Sequence, residues 1–196
     1  FRPSPGLVPV DRRPFGWAPI SVVGPMGRTV ADTCLLLAAQ AAMDACDPLS
    51  YPVDPLGFLQ PEPRDLGSLR VAWTEDFGVC AVDPAIRAVM RSCCEGMRPL
   101  FRACDLVSFD LGEAHRCFDV LRAEAFVAGM QQAYEKDPGS LGPNPRANYE
   151  MGAAMSLKDC AWAQAEQTRS LQRFQQAFAG YDLILSPTTP VSPFPW

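Results

Sequence analysis

The only histidine of the chain, His115, lies two positions from a cysteine, Cys117. A thiol activated by an imidazole is a nucleophile for acyl chemistry. Two positions along a helix, however, turn side chains about 200° apart, so this pair cannot meet. His115 therefore reads as a surface residue near a helix end. Lysine chemistry would have to use Lys136 or Lys158, the only lysines present. A single histidine excludes a multi-histidine metal site. The cysteines (Cys34, Cys46, Cys80, Cys93, Cys94, Cys104, Cys117 and Cys160) contain no C-x-x-C pair, so no zinc site is expected. Cys93 and Cys94 are adjacent, but neighbours on a helix point in different directions. Gly24-Pro25-Met26-Gly27 precedes a helix start, yet it lacks G-x-G-x-x-G and G-K-[ST] and reads as a tight turn rather than a phosphate cradle. Pro187 to Pro190 fits P-x-x-P but reads better as a loop that stops a strand. No pair of acidic residues has a spacing suited to acid-base work.

Composition narrows the classes further. The chain has 196 residues, 17 basic and 22 acidic, with a net charge of −5, a poor balance for neutralising phosphates. No nucleic-acid partner is expected. Its hydrophobic share of 48% is that of a globular protein. The longest apolar run, Cys34 to Ala39, is far too short to span a membrane. Phe1 opens onto Arg-Pro-Ser-Pro-Gly with no apolar stretch, so no signal peptide is expected, and the absence of an initial Met predicts a piece of a longer polypeptide. Unpaired cysteines on apolar helix faces predict reduced thiols and a cytoplasmic setting.

These residues must be positioned by regular elements in the middle of the chain. Of the 20 prolines, 11 lie in residues 1–63 and four in the last ten, so both ends should be extended. Thr29-Val-Ala-Asp32 has the form of a capping box and predicts a helix start, with Leu35 and Leu36 widening an apolar face into a buried helix. A strand is predicted at Leu69–Trp73. Asp83-Pro84 starts a second helix, with Ile86, Val89, Met90, Cys93, Met97 and Leu100 along one face and Pro99 disturbing its last turn. A second strand is predicted at Leu106–Phe109, completing a β-α-β unit with parallel strands. A further helix should run from about Glu113 to Lys136, with Phe118, Leu121, Ala125 and Phe126 inside. The segment 137–148, rich in proline and glycine, is predicted to be a loop. Ser156-Leu-Lys-Asp159 opens a long helix bearing Cys160, Ala163, Gln167, Leu171, Phe174 and Phe178, with Gly180 as C-cap. A strand follows at Tyr181–Leu185. The class is α/β.

Four segments carry a resemblance. FRPSPGLVP resembles the segment of amidase-signature enzymes just after their nucleophile loop. WAPISVVGPMGRTVADTCLLL resembles that family's turn and helix, typically S-x-x-x-G-P-M-A-R-T-V-x-D followed by leucines. YDLILSPTTPVSPFP resembles its late strand, and LRVAW with the following helix resembles its L-x-x-(L/I)-R-(V/I)-(G/A) unit. Order and distances agree along nearly the whole chain, with residues 110–150 matching loosely. Gly24, Pro25, Arg28, Thr29 and Asp32 carry over onto the central motif, where Gly27 replaces the more usual alanine. They read as framework: Gly24 and Pro25 shape the turn, Thr29 caps the helix, and Asp32 caps the same end or pairs with Arg28.

The resemblance implies a mixed β-sheet flanked by helices, incomplete in this chain. It divides the fragment into an extended segment with a buried helix (1–68), the β-α-β unit (69–112), a variable helical region (113–180) and a late strand with its loop (181–196). It also implies a serine that attacks a carboxylic amide, a second serine and a lysine that relay the proton, and backbone N–H groups around the oxyanion. No cofactor or metal is implied. The glycine-serine signature is absent, and neither lysine matches the catalytic one, so no catalytic residue is expected here and residues 1–196 alone are predicted inactive. Phe118, Phe126, Tyr134 and Thr188 are candidates for the substrate pocket. Expected partners are a small amide and the remainder of the polypeptide, with a homo-oligomer left open. The alternatives are a non-catalytic amidase-like protein and a transamidase resembling the A component of an amidotransferase.

Overall fold

The computed structural model describes residues 1–194, so Pro195 and Trp196, which close the predicted late loop, lie outside the described residues. The chain forms two compact units. One comprises residues 1–63 and 119–160, the other residues 64–118 and 161–196.

The second unit is built on a parallel sheet. Strand β1 (Arg70–Trp73) lies between β2 (Ala103–Leu106) and β3 (Leu183–Leu185), in the order β2-β1-β3. Val71 pairs with Cys104 on one side and Leu183 on the other. The central strand is closed to water on both faces, as parallel sheets require, with Val71 and Ala72 fully buried. Val71 and Trp73 pack with Cys94, Cys104, Met90 and Phe101. Ala72 packs on the opposite face with Phe109, Leu111, Phe77, Phe174 and Ile184. An Arg70–Asp182 fork closes the start of β1 against β3, with Nη2 to Oδ1 at 3.1 Å.

The β-α-β pattern is present, with helix α2 (Pro84–Met97) between β1 and β2. Asp83 caps α2 by accepting from the Ala85 amide at 2.8 Å. Pro99 tightens the end into a 3-10 turn over Arg98–Leu100. The second strand sits three residues earlier than predicted. Arg102 and Val107 donate to Leu69 and Trp73, at 3.0 and 2.9 Å, and so fix the ladder around Cys104. Phe109, the aromatic residue of the predicted strand, instead turns to the other face of the sheet. The predicted face of α2 is also rotated: Cys94 is its buried residue, whereas Val89 and Leu100 are exposed.

In the first unit, α1 (Val30–Gln40) starts with both halves of a capping box: the Asp32 amide donates to Thr29 Oγ1 at 3.1 Å, and the Thr29 amide to Asp32 Oδ2 at 3.2 Å. Its buried residue, Leu37, packs with Ala41, Leu7, Val8, Val53 and Phe58. The rest of the helix departs from the buried helix predicted, since Val30 and Leu35 are 75% and 64% exposed. Gly6 adopts φ +85, and a side chain there would run into the Leu49 carbonyl.

Helix α3 (Ala114–Lys136) matches its predicted span, but Phe118, expected inside, is 46% exposed. The segment 137–148 is not one loop. A 3-10 turn at Pro138–Ser140 leads into α4 (Pro143–Ala153). Its prolines occupy the first turn, where a missing N–H breaks no helical hydrogen bond. Helix α5 (Leu157–Phe178) begins with the predicted Ser156 and Asp159 pairing, the Ser156 amide donating to Asp159 Oδ2 at 2.9 Å. Its buried residues are Ala163 and Glu166, whereas Leu171 and Phe178 of the predicted apolar face are exposed.

Candidate functional site

His115 and Cys117 stand as the helix geometry requires. His115 is exposed and Cys117 is buried, its thiol donating to the Ala163 carbonyl at 3.3 Å. Burial, then the nearby Glu166 charge, pushes the Cys117 thiol up, away from the thiolate a nucleophile needs. Lys136 and Lys158 are exposed, one at the end of α3 and the other in the first turn of α5. No group of three His, Cys, Asp or Glu side chains suited to a metal exists among the described residues. No helix among them is long and apolar enough to cross a membrane.

The Gly24-Pro25 turn is built by close packing. Pro25 is fully buried, and a Cβ on Gly24 would strike the Phe1 carbonyl and lie 2.6 Å from Pro3 Cδ. The turn delivers the chain through exposed Arg28 to Thr29 at the helix start, where Asp32 takes the capping role of the two expected for it.

The four candidate pocket residues fall in different surroundings. Phe118, Phe126 and Tyr134 are eight residues apart along α3, so each is turned by about 80° from the last. Phe126 lines a cavity of about 350 Å³ with Phe15, Ile20 and Leu121, and Arg122 lies 5.8 Å from its ring centroid. Tyr134 stacks on Tyr149 at 4.2 Å and donates to Glu150 Oε1 at 3.1 Å. Thr188 follows β3, in a loop held by the Asp83 amide donating to the Pro190 carbonyl at 2.8 Å. This loop borders an open apolar cavity of about 450 Å³ along Ile86, Val89 and Cys93 of α2. It also borders a smaller one of about 140 Å³ beside Glu75 and Phe77.

Two carboxylates and one backbone position have no counterpart among the sequence-based expectations. Glu75 is buried beyond the end of β1, where Arg91 Nη2 and Arg87 Nε reach its two oxygens at 2.5 and 2.8 Å. Hydrogen bonds from Arg91, then Arg87, hold it below the usual carboxylate range. Glu166 is clamped likewise by Arg173 Nη1 and Arg169 Nε at 2.7 and 2.6 Å, which lowers it to about 2. Both stay ionised and saturated with donors, so they lock structure and are poor proton acceptors. The i, i+4 spacing of Arg87 and Arg91 was the available signal for the first clamp. Between the β1 end and α2, Phe77 adopts φ +54, held against Phe109 and Phe174 at ring distances of 5.3 and 5.9 Å. A bulky residue in this region stores about 1–3 kcal/mol.

Comparison with known proteins gives this arrangement a context. An acylamidase of Rhodococcus erythropolis is 36% identical over 92 residues, covering 45% of this chain and 19% of that protein. The A component of the glutamyl-tRNA(Gln) amidotransferase of Chloroflexus aurantiacus is 26% identical over 197 residues, covering 88% of this chain and 40% of that one. The crystal structure of a bacterial aryl acylamidase of the amidase signature family superposes with a TM-score of 0.84 at 22% identity, covering 99% of this chain and 42% of the other. The chain thus spans at most about two-fifths of the length of these relatives. The Amidase family itself matches along residues 1–196, and the chain belongs to that family.

Proposed function

We propose that the polypeptide carrying this chain hydrolyses carboxylic amides to a carboxylate and ammonia or an amine through an acyl-serine intermediate, and that residues 1–196 supply scaffold and part of the substrate wall. The observation that carries this reading is the family match along all 196 residues. The serines and lysine of the reaction would come from outside residues 1–196. Inside them His115 and Cys117 stand apart, and the best-held carboxylates are saturated by arginines. Phe118, Phe126, Tyr134 and Thr188 are the proposed specificity residues, contributed by α3 and by the loop after β3. Loops at the C-terminal ends of parallel strands are where ligands gather in α/β folds.

The test is ammonia or amine release from a panel of small amides, using the full-length gene product beside residues 1–196 alone. Release by the former and none by the latter is expected. No release from any amide by a full-length protein that has the glycine-serine signature would overturn the reading, as would hydrolysis by residues 1–196. The similarity to the A component of an amidotransferase over 88% of the chain favours transamidation as the second reading. Stable co-purification with a tRNA-binding protein, and glutamine as the preferred amide, would select it.

A further inference from the structure

Two backbone hydrogen bonds anchor the loop that carries Thr188, one on each side of it. Before the loop, the Thr74 amide donates to the Leu185 carbonyl at 3.0 Å. Beyond Thr188, the Asp83 amide donates to the Pro190 carbonyl at 2.8 Å. The first donor lies just past β1, and the second belongs to the residue that caps α2. The loop therefore keeps its shape only while the end of β1 and the start of α2 keep their separation. Residues 75–82 join the two donors without a regular element, so the covalent chain alone does not fix that separation.

Glu75 does. It follows Thr74 directly, is buried, and reaches two successive turns of α2. Arg87 Nε donates to one of its oxygens at 2.8 Å and Arg91 Nη2 to the other at 2.5 Å. The Arg87 amide in turn donates to the Asp83 carbonyl at 3.0 Å, so clamp and anchor share one helical turn. Charge-assisted bonds from a guanidinium fork fix direction as well as distance. Glu75 also lines the cavity of about 140 Å³ with Phe77, Pro187 and Thr188. We propose that Glu75 is a positioning residue for the Thr188 loop: it ties α2 to the end of β1 and so fixes how Thr188 meets the substrate. Its effect on substrate rests on the amidase reading, in which Thr188 is part of the wall; its hold on the loop does not.

The test compares the full-length protein with its Glu75→Gln variant, which keeps the side-chain shape and removes the charge. Arg87 and Arg91 are 44% and 54% exposed, so water can take the donors released and the variant should fold. Hydrogen exchange should speed by about tenfold or more over residues 186–192 and stay as it was over α1. For whichever small amide the wild-type protein hydrolyses, KM should rise about tenfold while kcat changes less than about threefold. With Thr188→Ala already in place, Glu75→Gln should raise KM by less than about twofold further, because the contact it positions is gone. Arg91→Gln breaks half of the clamp and should give the same pattern in smaller measure; it decides the matter if Glu75→Gln does not fold. Unchanged exchange in the loop, or exchange raised equally along the chain, would overturn the proposal. So would an unchanged KM, or a Glu75→Gln effect undiminished beside Thr188→Ala. No hydrolysis by the wild-type protein would instead remove the amidase reading, and exchange would still decide whether Glu75 holds the loop.

Discussion

Two glycines near helix ends make opposite predictions for the same substitution. Gly152 lies in α4, where an added Cβ would sit 2.6 Å from the Ala123 carbonyl oxygen and 2.7 Å from Val127 Cγ2 of α3. One of those atoms is backbone, so the two helices would have to move apart. Overpacking of this kind costs about 1–3 kcal/mol. Replacing a helical glycine by alanine returns at most about 1 kcal/mol of backbone entropy and propensity. Gly152→Ala should therefore destabilise the protein by about 1 kcal/mol. Gly96 lies in α2, and a Cβ there would meet nothing within 4 Å. Only the propensity gain applies, so Gly96→Ala should stabilise by about 0.5 kcal/mol. Urea titration of both variants in the full-length protein reads the difference as midpoint shifts of opposite sign with an unchanged m-value. If Gly152→Ala raises the midpoint as Gly96→Ala does, the close approach of α3 and α4 is not what requires glycine, and the packing argument fails.

Glu166, lowered to about 2 by Arg173 and Arg169, contributes stability that is complete above the unfolded value near 4.5 and is lost as pH falls toward 2. The melting temperature should fall across that window, and Glu166→Gln should flatten the fall; an unchanged profile in the variant would remove Glu166 as its source. In native protein, Cys94, Cys104 and Cys117, all buried and all with raised thiol values, should resist iodoacetamide until denaturant is added, whereas mass spectrometry that finds Cys117 labelled under native conditions would contradict its placement. Residues 1–196 expressed alone should self-associate, because β2 and β3 are the outer strands of the described sheet and α1 presents Val30 and Leu35 to solvent. A monomer in sedimentation analysis with one cooperative unfolding transition would refute this.

Helix starts were the most legible features, because a cap is a local exchange between neighbours. Thr29 with Asp32, Asp83 with Pro84, and Ser156 with Asp159 all form where their spacing places them. Helix faces were less legible, since a face is chosen by what packs against it. On α5, Arg169 and Arg173 hold Glu166 inward, and Leu171 is left outside. The shift of β2 has the same origin: Val107 and Phe109 look like strand residues, but pairing with β1 selects Ala103–Leu106 and sends Phe109 to the other side of the sheet. In α4, an abundance of proline suggested a loop, although Pro143 and Pro145 occupy the turn that tolerates them. Of the candidate site, the separation of His115 from Cys117 followed from helix geometry alone, whereas the surroundings of Phe126 and Thr188 did not.

The α/β class, the β-α-β unit, the helix caps and the family were all readable along the chain, because each rests on short-range spacing or on motifs in order. Which charges are buried, and which of their bonds are made, depended instead on the packed fold. Glu75 meets Arg91 across 16 positions, and Arg13 approaches Asp47 across 34. Residues so far apart are joined by the packing of whole elements, for which no local pattern exists.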